Sequence, residues 1–160
     1  MNQKVKNIIE LLKVNNATIT TVESCTGGRI AAEITAVPGA SNVFPGGVVT
    51  YQTWVKEDLI GVKHSTLEKY DVVSEQVVKE MVVGGCKTMK TQFAVAVTGY
   101  AGPDGGTEDI PVGTIWIGCG TIDKIVTKCL KLGNDRLFNL KVATDTSIDM
   151  IYDFVKNMFL

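Results

Sequence analysis

The chain has 160 residues, 45% of them hydrophobic, and a formal net charge of −1 at pH 7. That length supports one well-buried core, so we expect a single domain over residues 1–160. The near-neutral charge argues against a basic surface for nucleic acid or an anionic membrane, and the apolar runs are too short to cross a bilayer.

The first half of the chain alternates helical and strand patterns. Apolar spacing predicts an amphipathic helix over 3–15, and the β-rich run 17–23 predicts a strand. A second helix is expected from near Thr26, ending by Pro38-Gly39. The stretch 46–53 then predicts a strand entered through glycine, and helical patterns return at 54–60 and 65–70.

The second half contains the clearest patterns. Ser74 precedes a helical run that extends to Met89 and is a good N-cap for it. Residues 92–99 form a continuous apolar run that predicts a strand buried on both faces. Two further strands, 112–119 and 124–132, are close enough to pair antiparallel, and a long helix is expected from Asp135 to about Met158.

This order of elements predicts an α/β fold, specifically a three-layer α/β/α sandwich with a mixed, mostly parallel sheet. In such sheets ligands bind at the carboxyl ends of the strands. Three polar, glycine-containing segments, 23–28, 46–56 and 98–107, lie at or just beyond three predicted strands. We therefore expect them to converge at one edge of the sheet.

Ser24, in the first of these segments, is a candidate nucleophile. At a helix N-terminus, free backbone amides would stabilise a developing oxyanion or a bound phosphate, and Gly27 and Gly28 would let a ligand approach the backbone. A plain helix cap is the alternative interpretation of Ser24. A Glu23–Lys56–Cys25 amidase set is a third possibility at this stage.

A serine nucleophile needs a base, and nothing in the local sequence places His64 beside Ser24. Lys56, five residues after Tyr51, is the alternative base, although a solvated helix residue is the plainer interpretation. An exposed lysine is neutral in only about one molecule in 2,500 at pH 7. Burial that lowers its pKa to roughly 8 would leave about a tenth of it competent, with Tyr51 relaying the proton or orienting the amine.

The third segment, TGYAGPDGGT, spans residues 98–107. Its backbone amides, together with Thr98 and Thr107, are suited to ribose or phosphate oxygens. A simple turn between two strands is the alternative.

The cysteines predict neither a zinc site nor a disulfide framework. The four cysteines of the chain are widely spaced and form no C-x-x-C pair, and the chain has one histidine. We expect reduced thiols and a cytoplasmic location.

Taken together, the segments resemble the CinA C-terminal domain family, which includes stand-alone nicotinamide-nucleotide amidohydrolases. The resemblance covers residues 5–155 approximately. It rests on VESCTGG at 22–28, VPGAS at 37–41, F-x-GGVVTY at 44–51, Lys56, LIGV at 59–62, VSE at 73–75, AVAVTGYAGPDGGT at 94–107 and PVGTIWI at 111–117.

The resemblance implies hydrolysis of the carboxamide of nicotinamide mononucleotide to nicotinate mononucleotide and ammonia, with no metal or other cofactor. It favours Ser24 as nucleophile, with Tyr51 and Lys56 as its partners. The substrate-binding residues expected are Glu23, Thr26, Gly27, Gly28, Gly46, Gly47, Thr98, Gly99, Ala101, Gly102, Thr107 and Arg136.

The chain departs from the family pattern at two places. Among the basic residues of the family's C-terminal turn, only Arg136 is matched here, so it is the only one of them that we expect to bind phosphate. The second departure is Trp54, which replaces a small or polar residue. An apolar face on the first or last helix suggests a homo-oligomer, a dimer or larger. The rival hypothesis is a nucleotide-binding or regulatory module that uses the same loops without chemistry.

Overall fold

The structure is a computed structural model that describes residues 3–160. Five strands form one sheet: β1 (Ile19–Glu23), β2 (Gly47–Val49), β3 (Phe93–Gly99), β4 (Thr114–Gly120) and β5 (Ile125–Lys131). The helices are α1 (Gln3–Val14), α2 (Arg29–Thr35), α3 (Thr53–Ile60), α4 (His64–Tyr70), α5 (Glu75–Met89) and α6 (Arg136–Phe159), with a 3-10 turn at Ala40–Asn42.

The strand order is β2-β1-β3-β4-β5. Strand β1 pairs in parallel with both β2 and β3, whereas β4 pairs antiparallel with β3 and with β5. Four strands therefore point one way and β4 points the other, which confirms the mixed, mostly parallel sheet. The carboxyl ends of β1, β2 and β3 meet at one edge, as the sequence predicts.

Two apolar clusters cover the two faces of the sheet. Val95 and Val97 of β3 belong to the cluster that α1 and α6 complete. Ala94 and Ala96 belong to the cluster beneath α5. Because successive side chains of a strand point to opposite faces, this division confirms that β3 is buried on both sides.

Helix α5 holds α3 in place. Ser74 caps α5 by accepting a hydrogen bond from the amide of Val77, as predicted. Farther along α5, Gly84 meets the last residue of α3 at backbone distance, and a Cβ at Gly84 would lie 1.9 Å from the carbonyl oxygen of Ile60. Since α3 also carries Lys56, this contact fixes the helix on which that lysine is mounted.

Several elements are shorter than the sequence predicts, and β2 and α2 differ most. Strand β2 has three residues rather than the eight of 46–53. Helix α2 begins at Arg29 and not near Thr26, because Gly27 and Gly28 adopt φ values of 58° and 97° that interrupt a right-handed helix.

Helix α6, at 24 residues, is the longest described. Asp135 caps it by accepting a hydrogen bond from the amide of Phe138. Buried and exposed residues are interspersed along its length, as in a helix that packs one side on a sheet. Within residues 3–160, no helix combines the length and the apolar character required to cross a bilayer.

Candidate active site

A pocket of about 380 Å³ lies at the edge where β1 and β3 end. The first segment supplies Ser24, and the residues around β2 and α3 supply Tyr51 and Lys56. The loop after β3 and the start of α6 complete it. Its lining consists of Ser24, Cys25, Tyr51, Thr53, Lys56, Val72, Val73, Thr98, Gly99, Tyr100, Ala101, Gly102, Asp104 and Arg136.

Lys56 and Ser24 are in direct contact inside this pocket. The Lys56 side chain is 1% exposed, and its Nζ donates to Ser24 Oγ at 3.0 Å. Desolvation by burial lowers the pKa of Lys56 to about 8. This agrees with the value expected from the sequence for a lysine base, and it leaves a substantial neutral fraction near pH 8.

The backbone of Thr50 orients the Lys56 amine. Lys56 Nζ donates to the Thr50 carbonyl oxygen at 2.5 Å, and the Thr50 amide donates to the carbonyl oxygen of Glu23 at 2.7 Å. A neutral amine that keeps one N–H on the Thr50 carbonyl can turn its lone pair toward the Ser24 hydroxyl. The lysine is therefore held against the end of β1 by main-chain groups.

Glu23 has a structural role that the sequence interpretation missed. It is 0% exposed, and its carboxylate accepts hydrogen bonds from the amides of Gly28, Ile30 and Ala31 at 3.0, 3.1 and 2.8 Å. A carboxylate on these amides caps α2 and complements its dipole. The alternative of Ser24 as helix cap is wrong, and the expected substrate contact of Glu23 is not supported, since its oxygens bind the helix.

The turn after β1 contains two amides beside Ser24 that, within residues 3–160, have no oxygen acceptor and contact only the Cys25 sulfur. Among residues 24–31, the amides of Cys25 and Thr26 donate to no oxygen, while each of the others has an oxygen acceptor. These two amides lie against the Cys25 sulfur. Of the backbone donors in this turn, these two amides follow Ser24 most closely in the sequence. They are therefore the candidates to stabilise a developing oxyanion.

Tyr51 and Arg136 meet at the outer part of the pocket. Arg136 Nη2 donates to the Tyr51 hydroxyl at 2.9 Å, and Nη1 donates to the Gly102 carbonyl at 2.8 Å. Tyr51 is 57% exposed. The structure gives its hydroxyl no hydrogen bond to Ser24 or Lys56, so the expected direct partnership with the nucleophile is not formed.

The remaining expected site residues divide into two groups. Thr98, Gly99, Ala101 and Gly102 line the pocket, although the Thr98 hydroxyl is already donated to the Val72 carbonyl at 2.8 Å. The others lie outside its lining: Thr26, Gly27, Gly28, Gly46, Gly47 and Thr107.

Physical reasons account for several of these exclusions. Gly46 and Gly47 lie at the amino end of β2, where a Cβ on Gly47 would come within 2.1 Å of Thr21 Oγ1, so a close strand approach explains that glycine. The Thr107 hydroxyl accepts the amide of Ile110 within its own turn. The Thr26 hydroxyl is buried without a partner in residues 3–160.

Five pocket residues were not expected from the sequence: Thr53, Val72, Val73, Tyr100 and Asp104. Tyr100 and Asp104 belong to the glycine-rich segment 98–107, whose pattern is a usable signal. Val72 and Val73 precede the cap of α5 and carry no chemical signature. Only the tertiary fold brings them to the carboxyl edge of the sheet.

Cys25 and His64 are poorly placed as alternatives to Ser24 and Lys56. Cys25 is 6% exposed, and burial raises the pKa of its thiol to about 11, which keeps it protonated at neutral pH. His64 Nδ1 lies 2.8 Å from Glu57 Oε1 on an exposed surface. Across residues 3–160, no group of three or more histidine, cysteine or acidic side chains is arranged to hold a metal ion.

A family model described as the CinA C-terminal domain matches residues 1–155. The chain is 45% identical over 119 residues to the Escherichia coli (strain K12) protein named nicotinamide-nucleotide amidohydrolase PncC, covering 74% of this chain and 72% of that protein. It is 44% identical over 142 residues to a CinA-like protein of Cytophaga hutchinsonii, covering 89% of this chain and 34% of that one. The chain thus spans about a third of the length of such longer relatives.

Solved structures agree with the fold. A CinA superfamily protein from Klebsiella pneumoniae 700603 superposes with a TM-score of 0.90 at 28% identity, covering 98% of this chain and 99% of that chain. The competence/damage inducible protein CihA from Agrobacterium tumefaciens superposes with a TM-score of 0.88 at 33% identity, covering 92% and 91%.

Proposed function

The chain belongs to the CinA C-terminal domain family, and from that premise we propose that it hydrolyses the carboxamide of nicotinamide mononucleotide to nicotinate mononucleotide and ammonia. The single observation that carries the proposal is the buried contact between Lys56 Nζ and Ser24 Oγ at 3.0 Å at the base of the pocket. The relative named nicotinamide-nucleotide amidohydrolase supplies the substrate class.

In the proposed first half-reaction, the neutral Lys56 amine takes the Ser24 proton as Oγ attacks the carboxamide carbon. The carbonyl oxygen becomes an oxyanion, which the amides of Cys25 and Thr26 stabilise. The Lys56 ammonium then returns the proton to the departing nitrogen. The C–N bond breaks, ammonia leaves, and a nicotinoyl ester remains on Ser24.

The second half-reaction uses the same groups. Lys56, neutral again, accepts a proton from a water molecule that attacks the ester carbonyl. The ester C–O bond breaks, the proton on Lys56 returns to Ser24 Oγ, and the carboxylic acid product loses its remaining proton to solvent and leaves as the carboxylate. The Thr50 carbonyl keeps the amine pointed at the serine throughout, so a single base serves both steps.

Arg136 and Tyr51 are the proposed phosphate-binding pair. Arg136 offers a planar cation at the outer part of the pocket, and guanidinium N–H groups suit phosphate oxygens. The Tyr51 hydroxyl, which now accepts from Arg136, can donate its own proton to the same anion. This assignment gives Tyr51 a binding role, in place of the catalytic partnership expected from the resemblance.

The decisive experiment measures ammonia release from nicotinamide mononucleotide, nicotinamide and NAD in parallel. We expect release from the mononucleotide, and a loss of at least roughly 10³-fold in kcat for Ser24→Ala with binding of the mononucleotide retained. Saturable binding without ammonia at any protein concentration would instead establish the non-catalytic module. Unchanged turnover by Ser24→Ala would eliminate the serine mechanism.

A further inference from the structure

Asp71 adopts a backbone conformation that is unusual for its residue type. Its φ is 69° and its ψ is 159°, a region that glycine occupies readily and that strains a residue with a Cβ. It stands between the end of α4 and the two pocket residues Val72 and Val73. Strain of this kind persists only where the surrounding contacts hold it.

The Asp71 carboxylate supplies such contacts. Its Oδ1 accepts the Tyr100 hydroxyl at 3.0 Å and the Val73 amide at 3.0 Å. The Asp71 carbonyl accepts the Ser74 hydroxyl at 2.9 Å, which ties the segment to the cap of α5. Segment 71–73 is therefore folded around one carboxylate oxygen.

Tyr100 is the rigid member of this arrangement. Its amide donates to the Thr114 carbonyl at 3.0 Å, and its own carbonyl accepts the Gly113 amide at 2.7 Å, so β4 fixes its backbone. Beside it, Thr98 donates to the Val72 carbonyl at 2.8 Å. Two hydrogen bonds from the end of β3 and the residue after it thus hold segment 71–73 against the sheet.

Segment 71–73, which forms one wall of the pocket, is tied to the end of β3, next to the residue that binds the Ser24 amide. The Ser24 amide donates to the Val97 carbonyl at 3.1 Å, one residue before Thr98. Arg136 and Tyr51 lie at the outer part. With the scissile carboxamide at Ser24 and a phosphate at Arg136, the aromatic ring of the substrate would occupy the pocket between them, whose lining includes Val72 and Val73.

We propose that Asp71 and Tyr100 form a positioning pair that sets the wall of the subsite for the substrate's pyridine ring. The inference rests on the proposed function for the identity of the ring. The pair does not touch the reacting atoms. It acts by holding Val72 and Val73 at the distance at which their side chains contact a planar aromatic ring.

The test uses steady-state kinetics with nicotinamide mononucleotide and with the phosphate-free nicotinamide riboside. Tyr100→Phe removes only the hydroxyl, and Asp71→Gly removes the carboxylate while suiting the backbone. We expect both variants to raise KM roughly tenfold for both substrates, with kcat within about twofold. Asp71→Asn, whose amide oxygen can still accept both hydrogen bonds, should restore KM to within about twofold of the parent.

Three controls separate this role from general destabilisation and from phosphate binding. The melting temperature of Asp71→Gly should stay close to that of the parent, because relief of the backbone strain offsets the loss of the two hydrogen bonds. A KM that is unchanged in Tyr100→Phe, or that rises only for the phosphorylated substrate, overturns the inference. The inference is also overturned if KM rises in both variants only in proportion to a fall in melting temperature.

A readout without substrate distinguishes failure of this inference from failure of the proposed function. The Val73 amide donates a hydrogen bond to the Asp71 oxygen that also binds the Tyr100 hydroxyl. Because Tyr100→Phe loosens that carboxylate, hydrogen exchange at the Val73 amide should accelerate about tenfold. If the parent protein releases no ammonia, the proposed function fails while this exchange still reports on the pair. Unchanged exchange overturns the pair whatever the activity.

Discussion

Glu23 and Lys56 are both buried ionisable residues, but they differ in how many hydrogen-bond partners surround the ionisable group. Both side chains are almost fully buried, at 0% and 1% exposure. Three backbone amides at the start of α2 donate to the Glu23 carboxylate and stabilise it. Lys56 has one carbonyl and one hydroxyl as partners, and burial lowers its pKa to about 8. Burial alone therefore does not distinguish Lys56 from Glu23; the smaller number of partners that compensate its charge does.

Replacing Lys56 by methionine tests the reactive half of this comparison most strongly. The change removes the base while keeping a side chain of similar length, so kcat/KM should fall at least about 10³-fold. Because the two residues act as one unit, adding Ser24→Ala should cause little further loss. The exposed Lys63, changed to methionine, is the matched control and should leave activity intact. Additive losses in the double variant would show that the two residues act independently.

The pH dependence sharpens the same point. Only the neutral amine can accept the Ser24 proton, and the pKa of Lys56 is lowered to about 8. The value of kcat/KM should therefore rise with pH through about 8 and then level off, falling about a hundredfold between the plateau and pH 6. A rate independent of pH from 6 to 9 would contradict lysine as the base.

Replacing Glu23 by alanine tests the structural half. Loss of the carboxylate leaves three amides at the start of α2 without their acceptor, and the free energy of unfolding should drop by about 2–3 kcal/mol. Thermal melting measures this, with the exposed Glu33→Ala on the same helix as control. Activity per folded molecule should change by less than about fivefold. A far larger loss of turnover with unchanged melting would place Glu23 in the chemistry.

The smallest effect is expected for Cys25→Ala. Burial raises the pKa of this thiol to about 11, so it supplies no thiolate at neutral pH. The turnover number should stay within about threefold of the parent in the ammonia assay, provided that the turn keeps its shape. An inactive Cys25→Ala beside an active Ser24→Ala would make the cysteine the nucleophile.

Periodicity and caps were sufficient to predict most of the fold. The buried strand 93–99, the Ser74 cap, the antiparallel pair β4 and β5 and the long last helix all follow from local patterns that tertiary structure did not override. The start of α2 was misplaced because two adjacent glycines in left-handed conformations precede it. A sequence containing glycines does not state which of them will adopt positive φ.

The site was predicted less completely than the fold. Ser24, Lys56 and Thr98 were expected together because strand ends converge in a parallel arrangement, whereas Arg136 was expected only from the family resemblance. The directions in which the Glu23 and Tyr51 side chains point could not be read from their spacing. Main-chain amides of the α2 start orient Glu23, and Arg136, distant in sequence, orients Tyr51. Val72 and Val73 were missed because apolar residues carry no chemical label.

The backbone contact between Gly84 and Ile60 bears on how accurately Lys56, the proposed base, is placed. Two helices that touch through main-chain atoms have no side chain between them that could adopt another conformer. The lateral position of α3 is consequently fixed to within the tolerance of a van der Waals contact. Precision at the proposed nucleophile thus originates partly in a contact one helical turn beyond Lys56, outside the lining of the pocket.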